Sequence, residues 1–557
     1  MFGFLCRHFF VRSLRYFEKN TAAKLVTVSL FLVVMISLAT GIYFFFASGF
    51  RFIAQEAFFS AALVLFAYEL FLLLSSLLVF ASALISGMFL LFRREASPFL
   101  MASPHFWLKP FLIFARVFLT SLWPLLVIVL PALLAIRNVF HLVGAGFILA
   151  LVSIAALIAT AVMSAMALLL GVAGVLLLFS RGKRVAPLSL KTFALSVSGL
   201  VLALLGWVWS RFRFVNLLDL FQARALNIPA PDLSPILHQF SVFPSHFSVL
   251  TIFFSQRAEW RAALNNLGYL LLATAAVSLL FYFFQRRYLL LWQLFQEGTF
   301  VANTRAARAF QGKALWLGHA RGPGSAILLK EAMTFMRDVR GVLWFGFILL
   351  LWLIQTAVHA VAFHSFQPEG SAAHAFPPAI GILEFGVILY FVGMLVLRFA
   401  FPSFSVERRS AWILASAPVD LGKVFFAKLL FFASLFSIFG LVSTFLNVAI
   451  IRLSLPVGLI FVLAVILAVI AITAFGLGLG AIFPNFETAD PEALSTTMPG
   501  LGFILGTLLY GIFGALAIQD ILQKGIPSLF VLFSFFSLCF VFLFAYFCRR
   551  ALHRLEF

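Results

Sequence analysis

The chain has 557 residues, of which 64% are hydrophobic and only 10% carry a charge. Ordinary soluble domains are about 45–50% apolar and about 25% charged, so this composition excludes a soluble globular fold. The formal net charge of +20 could suit a nucleic acid. Most Lys and Arg residues instead occupy the loops between apolar runs, so we expect a membrane lipid environment and no nucleic-acid partner.

The apolar residues form long runs rather than the stripes of amphipathic surface helices. A helix needs about 20 apolar residues to cross a bilayer, where backbone groups can be satisfied only internally. The sequence therefore predicts an all-α polytopic membrane protein with about twelve transmembrane helices. The predicted spans are residues 25–47, 62–91, 112–135, 146–178, 193–209, 266–284, 341–361, 379–401, 425–448, 457–482, 500–517 and 528–547.

Lys and Arg are unequally divided between alternate loops. If the N-terminus is cytoplasmic, the inner segments contain 29 of these residues and the outer segments contain 9, with Arg116 left uncounted inside a span. Positive side chains concentrate on the cytoplasmic side of membrane proteins. The distribution therefore predicts a multi-pass protein with both termini in the cytoplasm, residues 285–340 inside and residues 211–265 outside.

The two halves of the chain resemble each other. Glu69 and Glu384 lie 315 residues apart in corresponding spans, and a nearby set of residues repeats at a constant offset of 314. That set pairs Leu100, Pro104, Lys109 and Phe111 with Leu414, Pro418, Lys423 and Phe425. An even number of spans in each half predicts parallel repeats. We expect a first half at 1–284, a cytoplasmic linker at 285–327 and a second half at 328–557, each half with an interfacial helix and six spans.

Two segments resemble a known family. ERRSAWILASAPVDLGKVFFAKLL (407–430) is similar to the first cytoplasmic loop and coupling helix of bacterial ABC-type-two exporter permeases, and FPNFETADPEALSTTMPG (483–500) is similar to their next cytoplasmic loop. The resemblance implies a permease subunit in the bacterial cytoplasmic (inner) membrane. It would move an unidentified substrate out of the cytoplasm or the inner leaflet, and a separate ATPase chain would bind and hydrolyse the ATP.

Nucleotide chemistry has no recognisable motif in the sequence. There is no G-x-x-x-x-G-K-[ST] loop and no polar segment long enough for a nucleotide-binding domain. We therefore expect a chain that is not an enzyme, that holds no cofactor, and whose partners are one or more ABC-type ATPase subunits and the transported substrate. A secondary transporter is the first alternative, and an integral-membrane transferase is a less favoured one.

Two basic cytoplasmic segments, 93–110 and 408–428, are the candidates for docking the ATPase. A coupling element must be short and rigid so that it can transmit a push to the spans it joins. The alternative is that these bases only set the topology. The candidate docking residues are Arg94, Pro104, Lys109, Arg408, Arg409, Pro418 and Lys423.

Glu69 and Glu384 are carboxylates within apolar spans. Such groups are costly in lipid and usually face a bundle interior or a wet cavity, so both could line a substrate route. The alternatives are an interhelical hydrogen bond or a position near the outer headgroups. No catalytic residue is predicted. His359, His364 and His374 lack the spacing of H-E-x-x-H, so no metal site is predicted either.

Overall fold

A computed structural model provides the three-dimensional structure of the protein. It describes residues 21–55, 61–92, 109–142, 144–180, 193, 195–201, 203, 206–207, 238–286, 288, 291–292, 322–365, 372–410, 421–451, 455–485, 494–495, 497–524 and 528–552. Every regular element in these ranges is helical. A helix satisfies its own backbone hydrogen bonds, which is what long apolar segments require in a membrane.

The chain divides into two compact units. One comprises Ser37–Ala314, and the other comprises Leu315–Phe557 together with Met1–Ile36. The division after Ala314 falls within the predicted linker 285–327, whereas the N-terminal residues group with the second unit. The first helix, α1, contains the Ile36/Ser37 division.

The unit Ser37–Ala314 is built around one central helix. Its helices are α1 (Thr21–Gln55, in part), α2 (Ala61–Phe92), α3 (Lys109–Phe140), α4 (Gly144–Ser180), α5 (Pro244–Gln256) and α6 (Trp260–Gln285). The central helix α4 packs against α2, α3, α5 and α6. The short helix α5 also packs against α2 and α6, so it is held among three longer helices.

The unit Leu315–Phe557 is also built around one central helix. Its helices are α7 (Pro323–Arg337), α8 (Val339–Ser365), α9 (Ala372–Leu395), α10 (Leu421–Ile451), α11 (Leu455–Ile482), α12 (Met498–Lys524) and α13 (Ser528–Leu552). The helix α11 packs against α9, α10, α12 and α13. After α9, the chain continues through a π-helical turn and two 3-10 turns that end at Ser410.

Eight helices in the described part of the chain are long and apolar enough to cross a membrane. The count becomes nine if α7 and α8, which meet at an angle of 79°, form one broken span. The coarse prediction of a polytopic helical membrane protein is therefore confirmed. The predicted spans 25–47, 112–135, 193–209 and 341–361 are not among the eight, so the count of twelve and the repeat stay predictions.

Glycines let other elements approach α11 closely. A Cβ at Gly480 would overlap the backbone carbonyl oxygen of Phe401, and one at Gly478 would lie 2.7 Å from Cδ1 of Phe544. Small residues allow this kind of packing where helices have no hydrophobic driving force between them. The glycine series in α11 therefore serves helix packing. In α4, by contrast, no described heavy atom lies within 4 Å of a Cβ built on Gly174.

Candidate functional site

Glu69 is completely buried in α2. Its Oε1 atom lies 2.5 Å from Nδ1 of His246, which stands in the first turn of α5. Its second oxygen, Oε2, has no hydrogen-bond partner among the described residues. The carboxylate therefore connects α5 to α2 and retains one unsatisfied oxygen.

Further polar contacts surround this pair. Gln256, at the other end of α5, donates from Nε2 to the hydroxyl of Tyr68 over 2.7 Å. Ser248 donates to the hydroxyl of Ser153 on α4 over 3.1 Å, and both side chains are fully buried. A short helix with a polar face can be buried here because its neighbours supply hydrogen-bond partners.

Glu384, the second carboxylate selected from the sequence, lies in α9 and is 1% exposed. Its Oε1 accepts a hydrogen bond from Nε2 of Gln355 at 3.0 Å, and its Oε2 accepts one from Nδ2 of Asn447 at 2.8 Å. Three helices, α8, α9 and α10, are joined by these amide–carboxylate contacts. An interhelical hydrogen bond was the alternative considered from sequence for both glutamates, and both make one.

A cluster of four charges lies at the start of α10. Lys428 is 1% exposed, and its Nζ lies 2.7 Å from Oε1 of Glu331 on α7 and 2.9 Å from Oε1 of Glu407 in the last 3-10 turn. Lys330, with 41% of its side chain exposed, forms an ion pair with Glu407 at the edge of the cluster. We call Lys330, Glu331, Glu407 and Lys428 the charge cluster.

The electrostatics of the charge cluster favour ionised Glu407. Burial acts to raise the pKa of this carboxyl, but the positive charges and hydrogen bonds of Lys428 and Lys330 outweigh burial and lower the pKa below its ordinary value. A lysine in an apolar helix is costly unless a charge and hydrogen bonds accompany it. Two carboxylates from different elements meet that requirement.

Local sequence explains why the cluster forms at this point. Asp338 separates α7 from α8, and its carboxylate accepts a hydrogen bond from the backbone N–H of Arg340, which turns the chain between the two helices. Pro402 follows the π-helical turn and lacks a backbone N–H donor, so the α-helix does not continue. Glu407 therefore lies in a 3-10 turn. The backbone N–H of Asn485 donates to Ser405 and anchors that turn.

The predicted docking residues are only partly described. Lys423 is exposed in the first turn of α10, five residues before the buried Lys428. Lys109 begins α3, and Arg408 and Arg409 lie in the 3-10 turn Ser405–Ser410. Arg94, Pro104 and Pro418 lie outside the described residues. The docking role stays a prediction.

Sequence reasoning missed most partners of the buried charges. By sequence alone, Lys428 is one of the 29 inner Lys and Arg residues, and His246 is one residue of the predicted outer segment 211–265. A lysine within the predicted span 425–448, close to its start, is a usable signal for an ion pair, since lysine is almost never fully buried alone. Gln355 and Asn447 carried no comparable signal, because single amides are common in membrane helices.

The helices and their buried polar contacts define the class of the protein, a polytopic helical membrane protein. A family model described as "Putative ATP-binding cassette" matches residues 19–543, which is most of the chain. The chain therefore belongs to that family. No curated protein and no solved structure is similar enough to match it.

Family membership corrects four expectations. The matching model is not that of an ABC-type-two exporter permease, so the identification as such a permease is wrong. The description of the family associates ATP binding with this chain, so a permease-only function, the absence of enzyme activity and the placement of ATP only on a partner are also wrong. The expectations came from a resemblance carried by segments such as 407–430 and 483–500 and from the missing G-x-x-x-x-G-K-[ST] loop, whereas the family match extends over 19–543.

Proposed function

We propose that this chain is a membrane-embedded transport protein whose movements are driven by ATP that the chain itself binds. Membership of the ATP-binding cassette family supports the use of ATP, and the eight apolar helices support a location in a membrane. The observation that carries the proposal is the charge cluster. It joins the buried Lys428, in the candidate span Gly422–Ile451, to Glu331 on α7 and to Glu407 in the 3-10 turn, which both lie outside that span.

The charge cluster couples three elements mechanically. Glu331 belongs to α7 and Glu407 to the 3-10 turn, while both contact the buried ammonium group of Lys428 on α10. Separating either carboxylate from Lys428 would leave a buried charge without its partner, which costs about 3–5 kcal/mol. A displacement of α7 or of the turn is therefore transmitted to α10 as a rigid-body movement.

ATP binding by the purified chain is the first test. The full-length protein in lipid nanodiscs is titrated with a fluorescent ATP analogue, and unlabelled ATP with Mg²⁺ is used as competitor. We expect saturable binding that ATP displaces. Because the sequence has no G-x-x-x-x-G-K-[ST] segment, the site must use other residues. Absence of displaceable binding would overturn the proposal.

Movement at the charge cluster is the second test. Hydrogen exchange of peptides covering α7 and the first turns of α10 is compared with and without ATP. We expect ATP to change exchange in the wild-type protein and in the control K423Q, whose lysine is exposed on the same helix. In K428Q, ATP should no longer change the exchange of the α7 peptides and that of the α10 peptides together. ATP binding without any exchange change in the wild type would reject the role of the cluster.

An ATPase partner remains a separate proposal. Of the two basic segments, 93–110 and 408–428, the second adjoins the charge cluster in sequence, and its Lys423 is exposed. Charge reversal at Arg94 or Arg408 should weaken co-purification of such a chain, whereas surface substitutions normally change stability little. Unchanged co-purification with both variants would remove the docking assignment.

We also propose that the protein has twelve spans in two parallel six-helix halves. In one unit α2 packs on α3 and α4, and α4 packs on α3 and α6. In the other, the helices at corresponding sequence positions repeat these pairs: α9 packs on α10 and α11, and α11 packs on α10 and α13. This agreement supports a repeat. Halves that do not superpose in an experimental structure would contradict it.

A further inference from the structure

The strongest unexplained feature outside the charge cluster is the pair Glu69–His246. Glu69 is 0% exposed in a candidate span, and one of its oxygens has no partner in the described part of the chain. His246 is held against the other oxygen at 2.5 Å, and its side chain is 15% exposed. A carboxylate in a membrane interior is expensive unless a cation or a proton compensates it.

Among the described side chains of the surrounding helices, no other charged group compensates Glu69 at close range. The helix α4, which packs on α2 and α5, contains no acidic, basic or histidine residue. On α2 the neighbouring Tyr68 receives a hydrogen bond from Gln256. The remaining charged or titratable side chains that the structure describes on α3 and α6 are exposed at the surface. These are Arg116 and Arg137 on α3, and Arg261, Tyr269 and Tyr282 on α6.

The helix that carries His246 is built to be held in place by side chains. With 13 residues, α5 is too short to cross a bilayer, which takes about 20. It begins at Pro244, and Phe243 before it provides no side-chain cap. Its buried face is largely polar: Ser245, Ser248, Thr251 and Ser255 lie there beside the apolar Val249 and Ile252. Its attachment to α2 therefore depends on contacts such as the one between His246 and Glu69.

We propose that Glu69 and His246 form a proton-binding site, and that the bound proton fastens α5 to α2. With the proton bound, the imidazolium Nδ1–H donates to an anionic carboxylate and the two charges cancel. When the proton leaves for water through the exposed edge of His246, the neutral imidazole can still donate, but the carboxylate remains a buried net charge. Displacing α5 then admits water to Glu69.

The direction of the pH dependence follows from this balance. Histidine is the side chain that changes charge between about pH 5 and 8. The attached state of α5 is favoured while the pair holds its proton, and it is lost as the pH rises. This inference does not rest on ATP binding, so it can fail or succeed independently of the proposed function.

Hydrogen exchange of the full-length protein in nanodiscs tests the site. Peptides covering 244–256 are followed at pH 6 and pH 8.5, with correction for the intrinsic pH dependence of exchange. In the wild-type protein we expect protection to fall about tenfold or more at the higher pH, the size of change that one ion pair can produce. Peptides around Glu384, a buried carboxylate that accepts hydrogen bonds from the amides of Gln355 and Asn447, should show no such step.

Three variants separate the proton site from a merely structural contact. E69Q removes the buried anion and keeps the shape, so its protection should be independent of pH. H246N should also lose the fall in protection between pH 6 and pH 8.5. The control H238N replaces an exposed histidine shortly before α5 and should retain this fall. A pH-independent wild type, or a step that persists in E69Q or in H246N, would overturn the inference.

Discussion

A lysine with 1% exposure inside an apolar helix is tolerated only because its charge is compensated. Lys428 has two carboxylates within 3 Å, from Glu331 and Glu407. Removing one partner of a buried ion pair leaves a buried charge without compensation, which typically lowers the free energy of unfolding by about 3–5 kcal/mol. At the residue scale, this pairing is the most consequential interaction that the structure adds to the sequence.

We predict that K428M lowers the free energy of unfolding by about 3 kcal/mol, since it leaves Glu331 and Glu407 without their buried cation. The control K423M changes an exposed lysine on the same helix and should stay within about 0.5 kcal/mol of wild type. Denaturant unfolding in detergent micelles measures both. Adding E331Q to K428M should recover part of the loss; equal effects of K428M and K423M would contradict the cluster.

Glu407 predicts how stability depends on acid. Its pKa lies below the ordinary value of 4.5, so its contribution is complete above pH 4.5 and is lost as the pH falls through the lowered pKa. We therefore expect a decline in unfolding temperature below about pH 4.5 in the wild-type protein. E407Q, which cannot ionise, should show a shallower decline over that range. If the unfolding temperatures of wild type and E407Q fell equally steeply with decreasing pH, the result would count against the ion pairs.

At the scale of elements, close packing of α11 depends on a few glycines. A Cβ at Gly480 would overlap the carbonyl oxygen of Phe401 in the 3-10 turn that leads to Glu407. We predict that G480A destabilises the protein by about 1–3 kcal/mol, because backbone cannot move aside as a flexible side chain can. Thermal unfolding followed by size-exclusion chromatography provides the measurement.

The matched control for Gly480 is Gly174 in α4, where no described atom lies within 4 Å of a built Cβ. Alanine in a helix interior is about 0.5–1 kcal/mol more favourable than glycine, so G174A should be neutral or slightly stabilising. A G480A variant as stable as G174A would show that the approach of Phe401 to α11 is looser than described.

At the scale of the whole molecule, the distribution of Lys and Arg predicts the orientation in the membrane. It places residues 285–340 in the cytoplasm and 211–265 outside. After replacement of the native cysteines, G322C should resist a membrane-impermeant thiol reagent in intact cells. H238C, at an exposed position of the outer segment, should react. Labelling of G322C before cell lysis would invert or abolish the predicted topology.

The sequence by itself determined the class of fold, for a direct physical reason. In lipid, a run of about 20 apolar residues can satisfy its backbone hydrogen bonds locally only as a helix. The eight candidate spans of the structure all lie where such runs were predicted. Glu69 and Glu384 could also be selected from sequence alone, because carboxylates are rare in apolar runs. The predicted spans 25–47, 112–135, 193–209 and 341–361 are not among those eight and stay predictions.

Only the tertiary structure decided which groups compensate the buried charges. His246 follows Glu69 by 177 residues, and Lys428 follows Glu331 by 97, so no local pattern could pair them. Such pairs depend on which helices pack against each other. The hydrophobic periodicity of a single sequence does not show this. The short helix α5, the 3-10 turn after Pro402 and the charge cluster follow from that packing, since each brings a polar side chain to a partner distant in sequence.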